Sequence, residues 1–179
     1  MTSQLRVDKI IPVDGVPSGG GGGVIQVVST EKTDGVFGTT ANLQTKATIT
    51  GLSATITPKF STSKVLVIMH LLVGASGDTT GGGTILRDST EIGIADASSN
   101  RTRNTFGFGV KTSGSLWIPE SVSRIILDSP STTSATTYSV KIGGNGGVTV
   151  YINREGRNND NATDTTIGSS SLTLMEISA

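Results

Sequence analysis

Lys64-Val-Leu-Val-Ile-Met-His-Leu-Leu-Val73 is the stretch from which the rest of the chain can be read. It is apolar at nearly every position, is interrupted by His70, and is far too short to span a bilayer. A run of this length rich in Val, Ile and Leu predicts a strand buried on both faces, packed against a second sheet or a neighbouring subunit. Val65, Val67 and Leu71 are therefore candidates for a subunit interface or for the inter-sheet core, and the spacing leaves the two open.

Outward from this strand the pattern repeats as strand, turn, strand. Residues 24–30 are β-branched and lead into Lys32-Thr-Asp-Gly35, a turn signal of the hairpin kind. Residues 48–57 put Leu52, Ala54 and Ile56 on one face, and Pro58 ends the run. Residues 79–83 read as a small-residue loop, followed by short strands over 84–87 and 90–95 around Asp88-Ser89. Over 105–110, Phe106, Phe108 and Val110 alternate with glycines, as where backbones approach closely. Further strands are predicted over 122–127, 137–142, 148–152 and 171–177, with Tyr138, Val140 and Ile142 inward. Roughly nine or ten strands with no helical periodicity predict an all-β fold, a β-sandwich or jelly roll spanning residues 24–179.

Ahead of this head lies an extended N-terminal arm, residues 1–18, joined through a glycine hinge, residues 19–23. Glycine runs lose the most backbone entropy on ordering, and Pro12 and Pro17 hold their flanks extended. The arm carries Leu5, Val7, Ile10, Ile11 and Val13, cut off from the core that follows, so its expected partner is another molecule.

Composition narrows the function. Lys plus Arg equals Asp plus Glu at 14 each, so no basic field is available for nucleic acid or an anionic membrane. Cysteine is absent, which removes disulfides and thiolate chemistry, and stability is expected from packing and oligomerisation. The acidic residues among the first apolar ones do not read as a secretory signal, so a soluble chain is expected.

Few residues suggest chemistry. His70 is the only histidine, so one chain cannot build a multi-histidine site, and a satisfied buried histidine is the expectation. Asn158-Asn-Asp-Asn-Ala-Thr-Asp164 offers oxygen ligands without the acid spacing of a calcium loop, and reads as a solvated loop. Arg101, Arg103, Arg154, Arg157, Asn158 and Asp160 are candidate exposed binding residues for a sugar, a phosphate or a carboxylate. Trp117, the single tryptophan, is a candidate for the core or a subunit interface, with glycan stacking as the alternative. The glycine clusters lack the lysine and helix of a phosphate loop, and no nucleophile has a base at a recognisable spacing. No enzyme, no cofactor and no metal site are expected.

Leu5-Arg-Val-Asp-Lys-Ile-Ile-Pro-Val-Asp-Gly-Val-Pro17, with its glycine run and Val24-Ile-Gln-Val-Val-Ser-Thr30, resembles the N-termini of virion structural proteins of marine bacteriophages, especially those of cyanobacteria. Ile56-Thr-Pro-Lys-Phe-Ser-Thr-Ser-Lys-Val-Leu-Val67, Ile92-Gly-Ile-Ala-Asp-Ala-Ser-Ser-Asn-Arg-Thr-Arg103, Leu127-Asp-Ser-Pro-Ser-Thr-Thr-Ser-Ala-Thr-Thr-Tyr138 and Leu172-Thr-Leu-Met-Glu-Ile177 are similar to blocks of that group. The resemblance implies a homotrimeric fibre or appendage subunit in the virion, with the arm docking to other virion proteins and the head meeting a host-surface glycan or protein. A capsid decoration or cement protein is the alternative, and a carbohydrate-binding module the third. No nucleic-acid or membrane partner is expected.

Overall fold

The computed structural model describes residues 23–112, 118–157 and 163–178. Eleven strands run through them: β1 (Val24–Lys32), β2 (Gly38–Thr39), β3 (Ala47–Ile56), β4 (Lys64–Ala75), β5 (Thr79–Arg87), β6 (Thr90–Ile92), β7 (Phe106–Val110), β8 (Glu120–Asp128), β9 (Thr136–Gly143), β10 (Val150–Ile152) and β11 (Ser170–Ile177). No helix occurs among the described residues.

The apolar stretch becomes β4, and it is hydrogen-bonded along both edges. On one edge β11 pairs with residues 64–70 and β10 with residues 73–75; on the other, β8 pairs with residues 65–73. β1 then adds to β11, so the first sheet runs β1-β11-β4-β8, with β10 and β2 prolonging it. The second sheet runs β3-β9-β5, with β7 and β6 sharing the far edge of β5. All the strand pairings are antiparallel, and the chain changes sheet repeatedly along its length. That order is the jelly roll, and the fold is all-β as the alternation predicts.

The core lies between the sheets. Val65, Val67, Met69, Leu71 and Val73 of β4 are each 0% exposed and face Tyr138, Val140 and Ile142 of β9, also 0%. Val65, Val67 and Leu71 therefore belong to the inter-sheet core and not to a surface. Within the single chain the second sheet covers one face of this strand: Leu66, Ile68, His70 and Leu72 alternate onto the outer face and are half-buried, where the expectation named a neighbouring subunit as the other cover. In β3, Ile49 and Leu52 both reach the core although their separation is odd, because a register irregularity between Thr48 and Ser53 takes up the extra residue at Gly51, where φ is +80°.

Three sequence expectations change. The segment read as a loop, residues 79–83, is the first half of β5, paired with β7. Its glycines admit close neighbours: a Cβ at Gly81 would lie 2.1 Å from the Phe108 ring, and one at Gly83 would lie 2.2 Å from the Lys141 carbonyl of β9 and 2.3 Å from the Phe106 ring. At Gly107 and Gly109, the alternating glycines of β7, a Cβ would meet only the Gly81 and Thr79 carbonyls at ordinary contact distances of 3.6 and 4.0 Å, so the close approach is on the partner strand. Finally, Asp34-Gly35 makes no hairpin, because β1 pairs with the distant β11 and the loop after it leads to β2 beside β10.

Two polar clusters close the sandwich. Asp128 of β8 accepts two bonds from Arg87 Nη1 of β5, at 2.8 and 2.9 Å, and one from the Tyr138 hydroxyl at 2.7 Å, tying the two sheets together. Burial, reinforced by the Asp128 carboxylate, raises the Tyr138 phenol well above its ordinary value. Glu176 of β11 is 0% exposed and holds the β3–β4 loop: it accepts from Gln26 Nε2 at 2.5 Å and from the backbone N–H of Lys59 at 2.8 Å. Burial pushes its carboxyl up, but these donors outweigh burial and leave it below the usual range.

Two outcomes follow from this packing. Gly83→Ala should destabilise the fold by about 1–3 kcal/mol through overpacking against the Lys141 carbonyl and the Phe106 ring, while Gly107→Ala stays within about 0.5 kcal/mol, both read from chemical denaturation. Because the folded carboxyl of Glu176 titrates below the ordinary glutamate value of about 4.5, its contribution is complete above that pH and is lost as pH falls through the lowered folded value. Thermal melts from pH 6 to 2 should fall less steeply below about pH 4.5 in Glu176→Gln than in the native protein; parallel curves would contradict that role.

Candidate functional site

The antiparallel weave brings the β1–β3, β4–β5 and β9–β11 connections to one end of the sandwich. Asn42 bridges to Gly144, Ser76 N–H donates to the Thr149 carbonyl, and Asn145 N–H donates to Thr79 Oγ1. Asn153 is the hub there. It is 0% exposed with φ at +69°, a left-handed conformation that Asn tolerates. Its Nδ2 donates to the carbonyls of Lys32 at 2.6 Å and Asp34 at 2.9 Å, and its Oδ1 accepts from Ser170 Oγ at 2.6 Å.

Three of the four arginines expected in exposed loops, Arg103, Arg154 and Arg157, are engaged internally. Arg154 donates through Nε to the Gly35 carbonyl at 2.9 Å, and its guanidinium lies 3.7 Å above the Tyr151 ring centroid. Arg157 lies 3.2 Å from the buried carboxylate of Glu155 and 3.2 Å from Asp164. Neither side chain is a free binding group, because each satisfies a loop carbonyl or carboxylate. Arg103 is exposed, yet its Nε donates to the Ala95 carbonyl at 2.6 Å, which shapes its own loop. Arg101 is exposed. Trp117, Asn158 and Asp160 lie outside the described residues, as do Leu5, Val7, Ile10, Ile11 and Val13 of the arm.

Two open clefts of about 360 Å³ each meet at Asn145. One is walled by Asn42, Gln44, Thr102 and Gly144, and the other by Asp78, Thr80, Gly109 and Lys111. Asp78 lies 2.8 Å from Lys111 Nζ and also accepts from the Thr112 N–H. The Lys111 hydrogen bond, helped by Thr112, draws the Asp78 carboxyl down to about 2, so it is an ionised tether between loops and not a proton donor. Among the described residues no three His, Asp or Glu side chains are grouped so as to hold a metal ion.

The other notable surface is the outer face of β1-β11-β4-β8. In register across the strands lie Val27, Met175, Leu66 and Leu127, then Ser29, Thr173, Ile68 and Ile125. Val24 and Ile177 border them on one side. Val24 and Val27 are each 54% exposed, Ile125 61% and Leu127 53%, on a face where an antiparallel sheet ordinarily turns polar groups to water. His70 is also here, half-buried and 3.2 Å from Ser123 Oγ, rather than in the core. The second sheet differs: its outer side carries Thr84, Glu91 and Lys141, with Thr84 Oγ1 donating to Glu91 at 3.1 Å. The sequence reading gave the second side of β4 to a second sheet or a neighbouring subunit without placing the apolar residues of the adjoining strands; the apolar parity of Ile125 and Leu127 in β8 is the signal that extends the face.

No protein-family model matches the chain, and no curated protein matches it either. Among solved structures it is similar to a mutant VP2 protein of infectious bursal disease virus from derived T=1 particles, at 17% identity and a TM-score of 0.35. The match covers 86% of this chain and 36% of that one, so the chain spans little more than a third of that protein. The jelly roll described above stands on its own strand order.

Asn153→Ala should cost roughly 2–3 kcal/mol, since it leaves the Lys32 and Asp34 carbonyls and the Ser170 hydroxyl without their buried partner. Denaturant titration checks this, and a loss below about 0.5 kcal/mol would contradict the hub role.

Proposed function

We propose that this protein is a non-enzymatic virion structural subunit, assembling as a homotrimer in a fibre or appendage. Residues 1–18 dock to other virion proteins, residues 19–22 form the hinge, with Gly23 held to the head by Ser178, and the jelly-roll head meets the host surface. The observation that carries the assembly part is the outer face of β1-β11-β4-β8, where Val24, Val27, Ile125 and Leu127 are more than half exposed. The virion part is supported by the resemblance of the N-terminal stretch and the four internal blocks to marine phage structural proteins. A head whose loop arginines are held by its own carbonyls and carboxylates suits a rigid building unit.

Quantitative mass spectrometry of purified particles encoding this chain tests the reading. The expected result is a small copy number in multiples of three, lost on deletion of residues 1–22 while the truncated head remains folded; Gly23 is retained because its carbonyl accepts from Ser178 N–H at 2.9 Å. Hundreds of copies per particle would turn the assignment to a capsid decoration or cement protein. Absence from particles would overturn the virion assignment.

A further inference from the structure

We propose that a second copy of this chain covers the outer face of β1-β11-β4-β8, making that face the subunit contact. This rests on the homotrimer reading above, and adds where the copies meet. The face is defined by Val27, Leu66, Ile68, Ile125, Leu127 and Met175, which stand in adjacent register rows across four strands.

Charge and size together select the partner. The rows are flanked by Lys64 at one end and Glu31 at the other, and the two rows between them contain no charged side chain. A polyanion or an acidic peptide finds nothing there to pair with, whereas another apolar, uncharged sheet face matches it.

With neighbouring strands about 4.8 Å apart and about 3.3 Å per residue, four strands over residues 64–72 make a surface of about 500 Å² in projection, somewhat more when side-chain corrugation is included. Specific interfaces bury roughly 600–1,000 Å² per partner, so this face with its margins reaches the lower part of that range. The chain's own residues 5–13, laid across it as one extended strand, would cover only about 150 Å². A folded copy therefore fits where the N-terminal segment does not. Around a threefold axis, each copy turns this face inward and divides it between two neighbours, so the area compared above is the total that each copy buries and each pair shares about half of it.

Light scattering on the full-length protein tests the inference, using Ile125→Lys and Leu127→Glu, two positions already solvent-facing in the single chain, with Thr48→Lys on the exposed side of β3 as control. The native protein and the control should show three times the 18.3 kDa of the chain. Each face variant should fall threefold to the single-chain mass with an unchanged circular dichroism spectrum. Native mass retained by both face variants would overturn the inference and leave the homotrimer standing. A native monomer would overturn both. A native dimer that dissociates in the face variants would support the contact and remove the threefold. Deletion of residues 1–22 should leave the native mass unchanged; dissociation in that truncation alone would make the N-terminal segment the occupant and overturn the inference.

Discussion

Strand β4 is the constraint on which the head depends. It is hydrogen-bonded on both edges, to β11 and β10 on one side and β8 on the other, so its register fixes which side chains of three neighbours point inward. A slip of one residue would turn Val65, Val67, Met69, Leu71 and Val73 to water and put His70 into the core. The buried clusters oppose such a slip: Glu176 sits opposite Val65 and grips the preceding loop, while Asp128, also opposite Val65, grips Arg87 and Tyr138 of the other sheet. A single position on β4 is thus flanked by both of the polar contacts that close that end of the sandwich.

The same strand accounts for the surface. Because β4 is apolar in both parities, pointing one set inward exposes the other, and β8 and β11 extend that exposed set sideways through Ile125, Leu127 and Met175. The second sheet has polar groups on its outer side and does not share the property. An asymmetry of this kind costs solubility in an isolated chain and suits a subunit.

Much of this was legible in the amino-acid sequence. The clean alternation in β9 gave Tyr138, Val140 and Ile142 their inward direction, and the apolar run of β4 marked the centre of the core. What was not legible depended on partners distant in sequence. The Thr79–Gly83 half of β5 looks like a turn because its glycines gain their packing from Phe106 and Phe108 on another strand. Arg154 and Arg157 look like binding groups because Gly35 and the buried Glu155 are invisible as their acceptors in a linear reading. The run 64–73 is consistent with two buried faces, and only the sheet order reveals that, among the described residues, the second sheet lies over one of them.

The central claim is that β4 builds the core with one face and the assembly with the other, and its two methionine environments test it directly. Met69 is 0% exposed between the sheets, while Met175 lies half-buried on the outer face. Oxidative footprinting of the native protein, read by mass spectrometry, should find both protected at assembling concentrations, with Met175 alone becoming reactive on dilution to single chains. Equal reactivity of Met175 at high and low concentration, in a protein that does assemble, would show that the copies meet elsewhere and contradict the account.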